Sequence, residues 1–221
     1  MNQKHVTWKR VTVYVLGLFF LALGVSISIK ADLGVSPVSS LAYAIALTFG
    51  LSVGITTILA NILFIFIQVI LHKKVDIRDF LLQLLIGFLF GFFIDATLFL
   101  VRFLPTHETL ITQFLYLTVS LFIVGGGLLG YLVSKLPLMP YDALTYVISE
   151  RFKLEFSKAK ITSDILNVCV AGAICIIFIG SFGAVGIGTI IAAYFIGKIL
   201  GIYMKWFKMP LEKWIFNELD E

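Results

Sequence analysis

The chain has 221 residues, 60% of them hydrophobic and 14% charged, with a net charge of +4. A soluble domain carries about 25% charged residues, so this chain cannot cover a water-facing surface, and its mean hydropathy of +1.03 agrees. Those figures exclude a soluble enzyme, and the basic balance reads as the positive loops of a membrane protein rather than a nucleic-acid interface.

The first apolar run, Val11–Ile29, follows Lys4, Lys9 and Arg10. It is longer than the apolar region of a signal peptide, and no small-x-small cleavage pattern closes it. It therefore reads as a retained span. Lys30-Ala31-Asp32-Leu33-Gly34-Val35-Ser36-Pro37 then interrupts the apolar pattern. Gly34 permits a turn, and Pro37 suits the first position of a helix. The apolar stretch that follows, Val38–Phe49, is shorter than the ~20 residues that cross a bilayer.

Five further runs are long enough to span: Val53–Leu71, Phe80–Phe103, Leu110–Val133, Ile161–Ile179 and Gly186–Trp206. Leu136-Pro137-Leu138-Met139-Pro140 and the short stretch Tyr141–Phe152 lie between the fourth and fifth spans. They repeat the design seen after the first span. Two interrupted elements in corresponding places of two halves point to a transport site.

Lys and Arg in short loops set orientation. Lys4, Lys9 and Arg10, the loop with Lys73, Lys74 and Arg78, the group Arg151, Lys153, Lys158 and Lys160, and the tail with Lys205, Lys208 and Lys213 all read as cytoplasmic. They fall on one side only if the two short elements dip into the membrane and return. The expected fold is thus an all-α polytopic membrane protein, a single domain over 1–221. It has six transmembrane helices plus two re-entrant half-helices, with both termini cytoplasmic.

An internal repeat supports this reading. Gly24 matches Gly127 and Pro37 matches Pro140, both at a shift of 103 (140 − 37). Leu41, Tyr43 and Ile45 meet Leu144, Tyr146 and Ile148 at the same shift. With three inserted residues, Thr57 and Asn61 meet Ser163 and Asn167. The halves are about 11–103 and about 110–206. Three full spans per half is an odd number, so the halves have opposite, inverted topology.

Three stretches resemble a known group: Leu33-Gly34-Val35-Ser36-Pro37, Gly87 to Asp95, and Gly186-Ile187-Gly188-Thr189. On these the chain resembles the YitT/YczE-type family of small bacterial integral membrane proteins. The resemblance implies a bacterial cytoplasmic-membrane location and a transporter-like fold. The second half departs from the motif, with Pro137 in place of Gly34 and Met139 in place of Ser36.

Thr57 and Asn61 share one helix face, and Ser163 and Asn167 repeat that spacing. An Asn amide offers donors and an acceptor to a small polar solute. The competing role is helix-to-helix hydrogen bonding, worth ~0.6–2 kcal/mol per bond in a membrane. The amides at the starts of the two short helices favour an anion or carboxylate. The expected substrate-binding set is Ser36, Pro37, Thr57, Asn61, Pro140, Tyr141, Ser163 and Asn167. Asp95 and Asp164 are coupling candidates, because a carboxylate at membrane depth is costly and can take up a proton. Asp142 is better placed to cap a helix, and Lys198 to snorkel to the cytoplasmic face.

Gly87/Gly91, Gly126/Gly130 and Gly197/Gly201 have the spacing for close helix contact, within the bundle or in a homodimer. Cys169 and Cys175 face different sides of one helix, and His5, His72 and His107 sit apart, so no metal is expected. No nucleotide loop or catalytic grouping is present, which argues against an enzyme and a cofactor. The expected partners are the lipid bilayer and a small-molecule solute, with no nucleic acid. The leading function is secondary transport of a small polar or anionic solute, with a proton as the candidate coupling ion. The alternative is a non-transporting scaffold or accessory subunit.

Overall fold

A computed structural model describes residues 7–72, 77–106 and 109–216. The described residues form eight α-helices and no strand: α1 (Trp8–Ala31), α2 (Pro37–Phe49), α3 (Val53–His72), α4 (Ile77–Val101), α5 (Leu110–Val133), α6 (Pro140–Phe152), α7 (Phe156–Ile179) and α8 (Ile187–Phe216). Six are long and apolar enough to cross a membrane; α2 and α6, with 13 residues each, are not. The chain is an all-α polytopic membrane protein. Some helices run beyond the expected spans, most of all α8, which continues through Pro210 to Phe216, while α5 keeps its expected span and α4 ends at Val101, short of Phe103. His5, His107 and the loop lysines Lys73 and Lys74 lie outside the described residues, as does the side chain of His72.

Local chemistry explains the short helices. Pro37 and Pro140 each occupy the first helical turn, where a missing N–H costs nothing. Gly50 ends α2 in the left-handed conformation, with φ 67°, which glycine reaches without steric cost. Lys153 ends α6 the same way, with φ 54°. The two positions are 153 − 50 = 103 apart. Asp32 and Lys135, also 103 apart, are both left-handed, with φ of 53° and 52°. Ser36 and Met139, again 103 apart, precede the two prolines with φ/ψ of −59°/152° and −61°/152°. The backbone thus repeats at three pairs of positions.

α1 and α5 form the centre and run antiparallel. A Cβ on Gly17 would sit 2.5 Å from the backbone nitrogen of Tyr131, and one on Gly127 would sit 2.5 Å from that of Leu21. Gly24 lies against Val124. Such contact needs glycine, and in a membrane close packing rather than the hydrophobic effect holds helices together. α4 packs on α1 and α8 packs on α5. α2 packs along α7, and α6 along α3. One relation is one-sided. α3 and α4 lie along each other, whereas α7 and α8, although consecutive, do not.

Candidate functional site

The starts of α2 and α6 are each met by a buried amide side chain from a long helix of the other half. Asn167 on α7 donates through Nδ2 to the carbonyls of Pro37, at 2.7 Å, and Val38, at 3.1 Å. Gln68 on α3 donates through Nε2 to the carbonyl of Pro140 and to Oε1 of Gln83 on α4, both at 3.0 Å. Asn167 is 6% exposed and Gln68 8%. A buried carbonyl needs a partner, and these amides supply it where the chain breaks.

Asn61 holds the position on α3 that Asn167 holds on α7, yet it does something else. It is 5% exposed and makes no hydrogen bond to any described residue. Its side chain lines a cavity of about 30 Å³ with Ser39, Thr57, Phe64, Phe90 and Tyr141. That volume holds about one water. Thr57 donates to the Val53 carbonyl, leaving its oxygen able to accept, and Ser36 donates to Ser39. The cavity also reaches Val38, whose carbonyl Asn167 engages from the other side. Asn61 and Asn167 therefore converge on the start of α2. Ser163, one turn before Asn167, is buried with an unpartnered hydroxyl.

A polar cluster joins α5, α6 and α7. Tyr141 donates to Asp164 at 2.5 Å. Lys160 lies 3.4 Å from Asp164 and 3.5 Å from Asp142, and sits over the Tyr141 ring at 4.2 Å. Tyr131 donates to Asp142 at 3.2 Å and accepts from the backbone nitrogen of Met139 at 2.7 Å. Two carboxylates face one ammonium, and all three side chains are between a fifth and a third exposed. Charged groups within a bundle face its interior or a watery passage.

Asp95 stands apart from both features. It accepts from the Ser52 hydroxyl and the Gly54 backbone nitrogen, each at 2.7 Å. That contact is an anion at the first turn of α3, where unpaired amides favour negative charge. It fastens α4 to α3. Asp142 takes part in the α6–α7 cluster, and Lys198 is exposed and donates to Tyr194.

Two of the three motif stretches meet in space, and the third packs on α3. Gly188 donates to the Leu33 carbonyl at 2.7 Å, and Val35 donates to the Ala184 carbonyl at 3.1 Å. Gly34, at φ 91°, has no room for a side chain against Gly186. The Gly87–Asp95 stretch faces α3, with Gly87 against Asn61, Gly91 against Gly54 and Ile58, and Asp95 on Ser52 and Gly54. The profile of the family of unknown function DUF6198 matches residues 8–205. The chain belongs to that family.

Two of its relatives are from Bacillus subtilis (strain 168). An uncharacterized protein, YyaS, is 30% identical over 86% of this chain and 90% of its own length. An uncharacterized membrane protein, YczE, is 29% identical over 86% of this chain and 83% of its own. A protein of Haemophilus influenzae is 23% identical over 89% and 84%. No solved structure matches. The YczE-type resemblance read from the motifs therefore holds.

In this DUF6198 protein the structure brings Ser36, Pro37, Thr57, Asn61, Tyr141 and Asn167 to one region around the start of α2. Pro140 and Asp164 adjoin it through Tyr141 and Gln68. Sequence reading missed Gln68, Lys160 and Tyr131. Gln68 stands seven residues after Asn61 on the same helix, and that spacing is the signal that could have found it. Among the described residues no group of three His, Cys, Asp or Glu could hold a metal ion. Cys169 is exposed and Cys175 buried, on different sides of α7.

Of the three glycine pairs, Gly87/Gly91 works within the bundle. Gly130 approaches α1 at Val13. Among the described residues Gly126 meets only Tyr203, and Gly197 and Gly201 meet nothing within 4 Å.

Proposed function

We propose that the protein is a secondary transporter of a small polar or anionic solute across the bacterial cytoplasmic membrane. In this reading it is built from two inverted-topology repeats, with α2 and α6 as re-entrant half-helices. The observation that carries the reading is the pair of chain breaks held by amides from the opposite half, Asn167 on Pro37 and Gln68 on Pro140, around a cavity with the unpartnered Asn61. Non-helical backbone inside a membrane is tolerated only in protein or beside a watery cavity. A buried amide with no partner among the described residues is costly, and the water-sized cavity beside it leaves room for one polar group of a solute to satisfy it.

Three facts support the inverted repeats: the antiparallel α1 and α5, the matched backbone conformations 103 residues apart, and the parallel roles of α4 and α8. The two ends of the described chain lie together. Lys9 stands over the Trp214 ring at 5.4 Å, and Lys135 pairs with Glu212 at 2.8 Å. The three tryptophans, Trp8, Trp206 and Trp214, are exposed near these ends, as an interfacial belt requires. With the basic residues beside them, both termini are assigned to the cytoplasm. Asp164, in its cluster, is the better coupling candidate of the two; no cofactor and no enzymatic step is part of the reading.

A second reading, a scaffold or accessory subunit, rests on the open Gly197/Gly201 face of α8, which would suit a homodimer or another membrane partner. A thermal-shift screen of purified protein against small neutral and anionic solutes, followed by uptake of each hit into proteoliposomes, separates the two. A hit lost in Asn61→Ala supports the transporter. Absence of any solute effect, with a stable dimer in detergent, supports the scaffold.

A further inference from the structure

The two halves are alike in backbone and differ in one set of bonds. On α7, Asn167 holds the start of α2. On α3, the matching Asn61 bonds no described residue, and Gln68, seven residues further on, holds the start of α6. The cavity is the space that this difference leaves beside Asn61. The same asymmetry appears one layer out: α3 is closed on α4 through Gly54, Gly91 and Asp95, while α7 and α8 do not lie along each other.

We propose that Asn61 and Gln68 are alternative donors to the Pro140 carbonyl, and that Gln68 is the positioning residue that keeps the Asn61 site in the arrangement seen here. The proposal rests on the transporter reading and deepens it. In the second arrangement α3 has moved along α6 so that Asn61 bonds Pro140 as Asn167 now bonds Pro37, and the cavity closes. Gln68 then leaves both Pro140 and Gln83.

The anchoring of each helix indicates which one moves. The lead-in to α6 is tied to α1 and α5: Tyr14 donates to the Pro137 carbonyl at 2.8 Å, Arg10 to the carbonyls of Ser134 and Lys135, and Met139 to Tyr131. α3 makes no hydrogen bond to α1 or α5 among the described residues. Gln68 ties it to α6 and α4 at one end, and Asp95 with the close Gly54–Gly91 contact ties it to α4 at the other, and these are the contacts the movement breaks. α3 is therefore the moving element. Seven residues of helix span about 10 Å, so the displacement along α6 is roughly 10 Å. Ratchets of about one turn between packed helices are a known form of two-state switching.

The test uses full-length protein in lipid nanodiscs, with Cys169→Ser and Cys175→Ala, and spin labels at Ile55→Cys and Phe152→Cys. Both sites are exposed. Ile55 is near the start of α3, and Phe152 ends α6. With Gln68 intact, one distance dominates. Gln68→Leu is expected to add a second population, shorter by roughly 10 Å, and Gln68→Asn, which keeps the amide but lacks reach, to add the same one. Adding Asn61→Ala to either is expected to remove it. An unchanged single distance in both Gln68 variants overturns the proposal, and so does a shorter population that survives Asn61→Ala. If Gln68→Leu does not fold, Gln68→Asn alone decides. No solute is needed for these distances. A shift without any measurable uptake would remove the transport reading while keeping the switch.

Discussion

Asn167 donates to the Pro37 carbonyl across 2.7 Å, and the residue matched to it in the other half, Asn61, donates to no described residue. The pair therefore separates a structural amide from an available one. Asn167→Ala strips two carbonyls of their donor and is expected to lower stability by about 1–2 kcal/mol, the upper part of the range for a membrane hydrogen bond. Asn61→Ala breaks no bond and is expected to change stability by less than ~0.5 kcal/mol. It should nevertheless abolish any solute-dependent thermal shift. Unfolding in mixed detergent measures both. Equal losses in the two variants would make Asn61 another packing residue.

Asp95 binds the first turn of α3 through two short hydrogen bonds. Hydrogen bonds to a charged group contribute about 1.5–3 kcal/mol. Asp95→Ala is expected to lose an amount in that range, and Asp95→Asn less, since its amide oxygen still accepts from Gly54. Hydrogen exchange at Gly54 to Thr56 should quicken in the alanine variant, with α7 unaffected. The pH dependence of uptake should not change in Asp95→Asn. A lost proton-driven component would instead place Asp95 in coupling.

The glycines divide by contact. Gly17→Ala would place a Cβ 2.5 Å from the backbone of α5, and overpacking of this kind costs about 1–3 kcal/mol. Gly197→Ala meets open space and is expected to be neutral or to gain up to ~1 kcal/mol from helix propensity. The measurement is the thermal midpoint of each variant at low protein concentration. Gly197→Leu tests the alternative function: loss of a dimer on sizing, with the monomer still folded, would assign that face to a second copy.

Much of the fold was legible because it rests on residues with few options. Pro37 and Pro140 can start a helix but not continue one, and Gly50 can end one left-handed. Lys135 and Lys153 adopt the same conformation as Asp32 and Gly50 without any sequence preference for it, so tertiary packing decides there. Gly24 was legible as a repeat match but not as a packing contact, and Gly17 not at all, because the small-xxx-small spacing is four, whereas theirs is seven, two turns along one face. Asp142, Lys160 and Asp164 were read one by one. Their union depends on α6 docking on α7, which no local pattern encodes. Gln68 has no polar counterpart at the matching position, Ile174, and only the geometry of the Pro140 carbonyl shows its role.

Orientation is open to a direct test at the far ends of the two short helices. Phe49 ends α2 and Phe152 ends α6, and both are exposed. Pro37 lies beside Asn167, at the middle of the 24-residue α7, and α2 runs from there to the end where Phe49 meets Phe178 with ring centroids 6.2 Å apart. α6 starts beside Gln68 and Phe64 on α3 and leads to the basic stretch Arg151 to Lys160. α2 and α6 therefore lead to opposite faces if each starts at depth. In a variant without native cysteines, Phe49→Cys is expected to react with a membrane-impermeant maleimide added to whole cells. Phe152→Cys should react only after permeabilisation, as should a cysteine appended after Glu221. Labelling of Phe49→Cys and Phe152→Cys from the same side would remove the inverted repeat. Labelling of the appended cysteine from outside would invert the whole chain and break the agreement between positive loops and the cytoplasm.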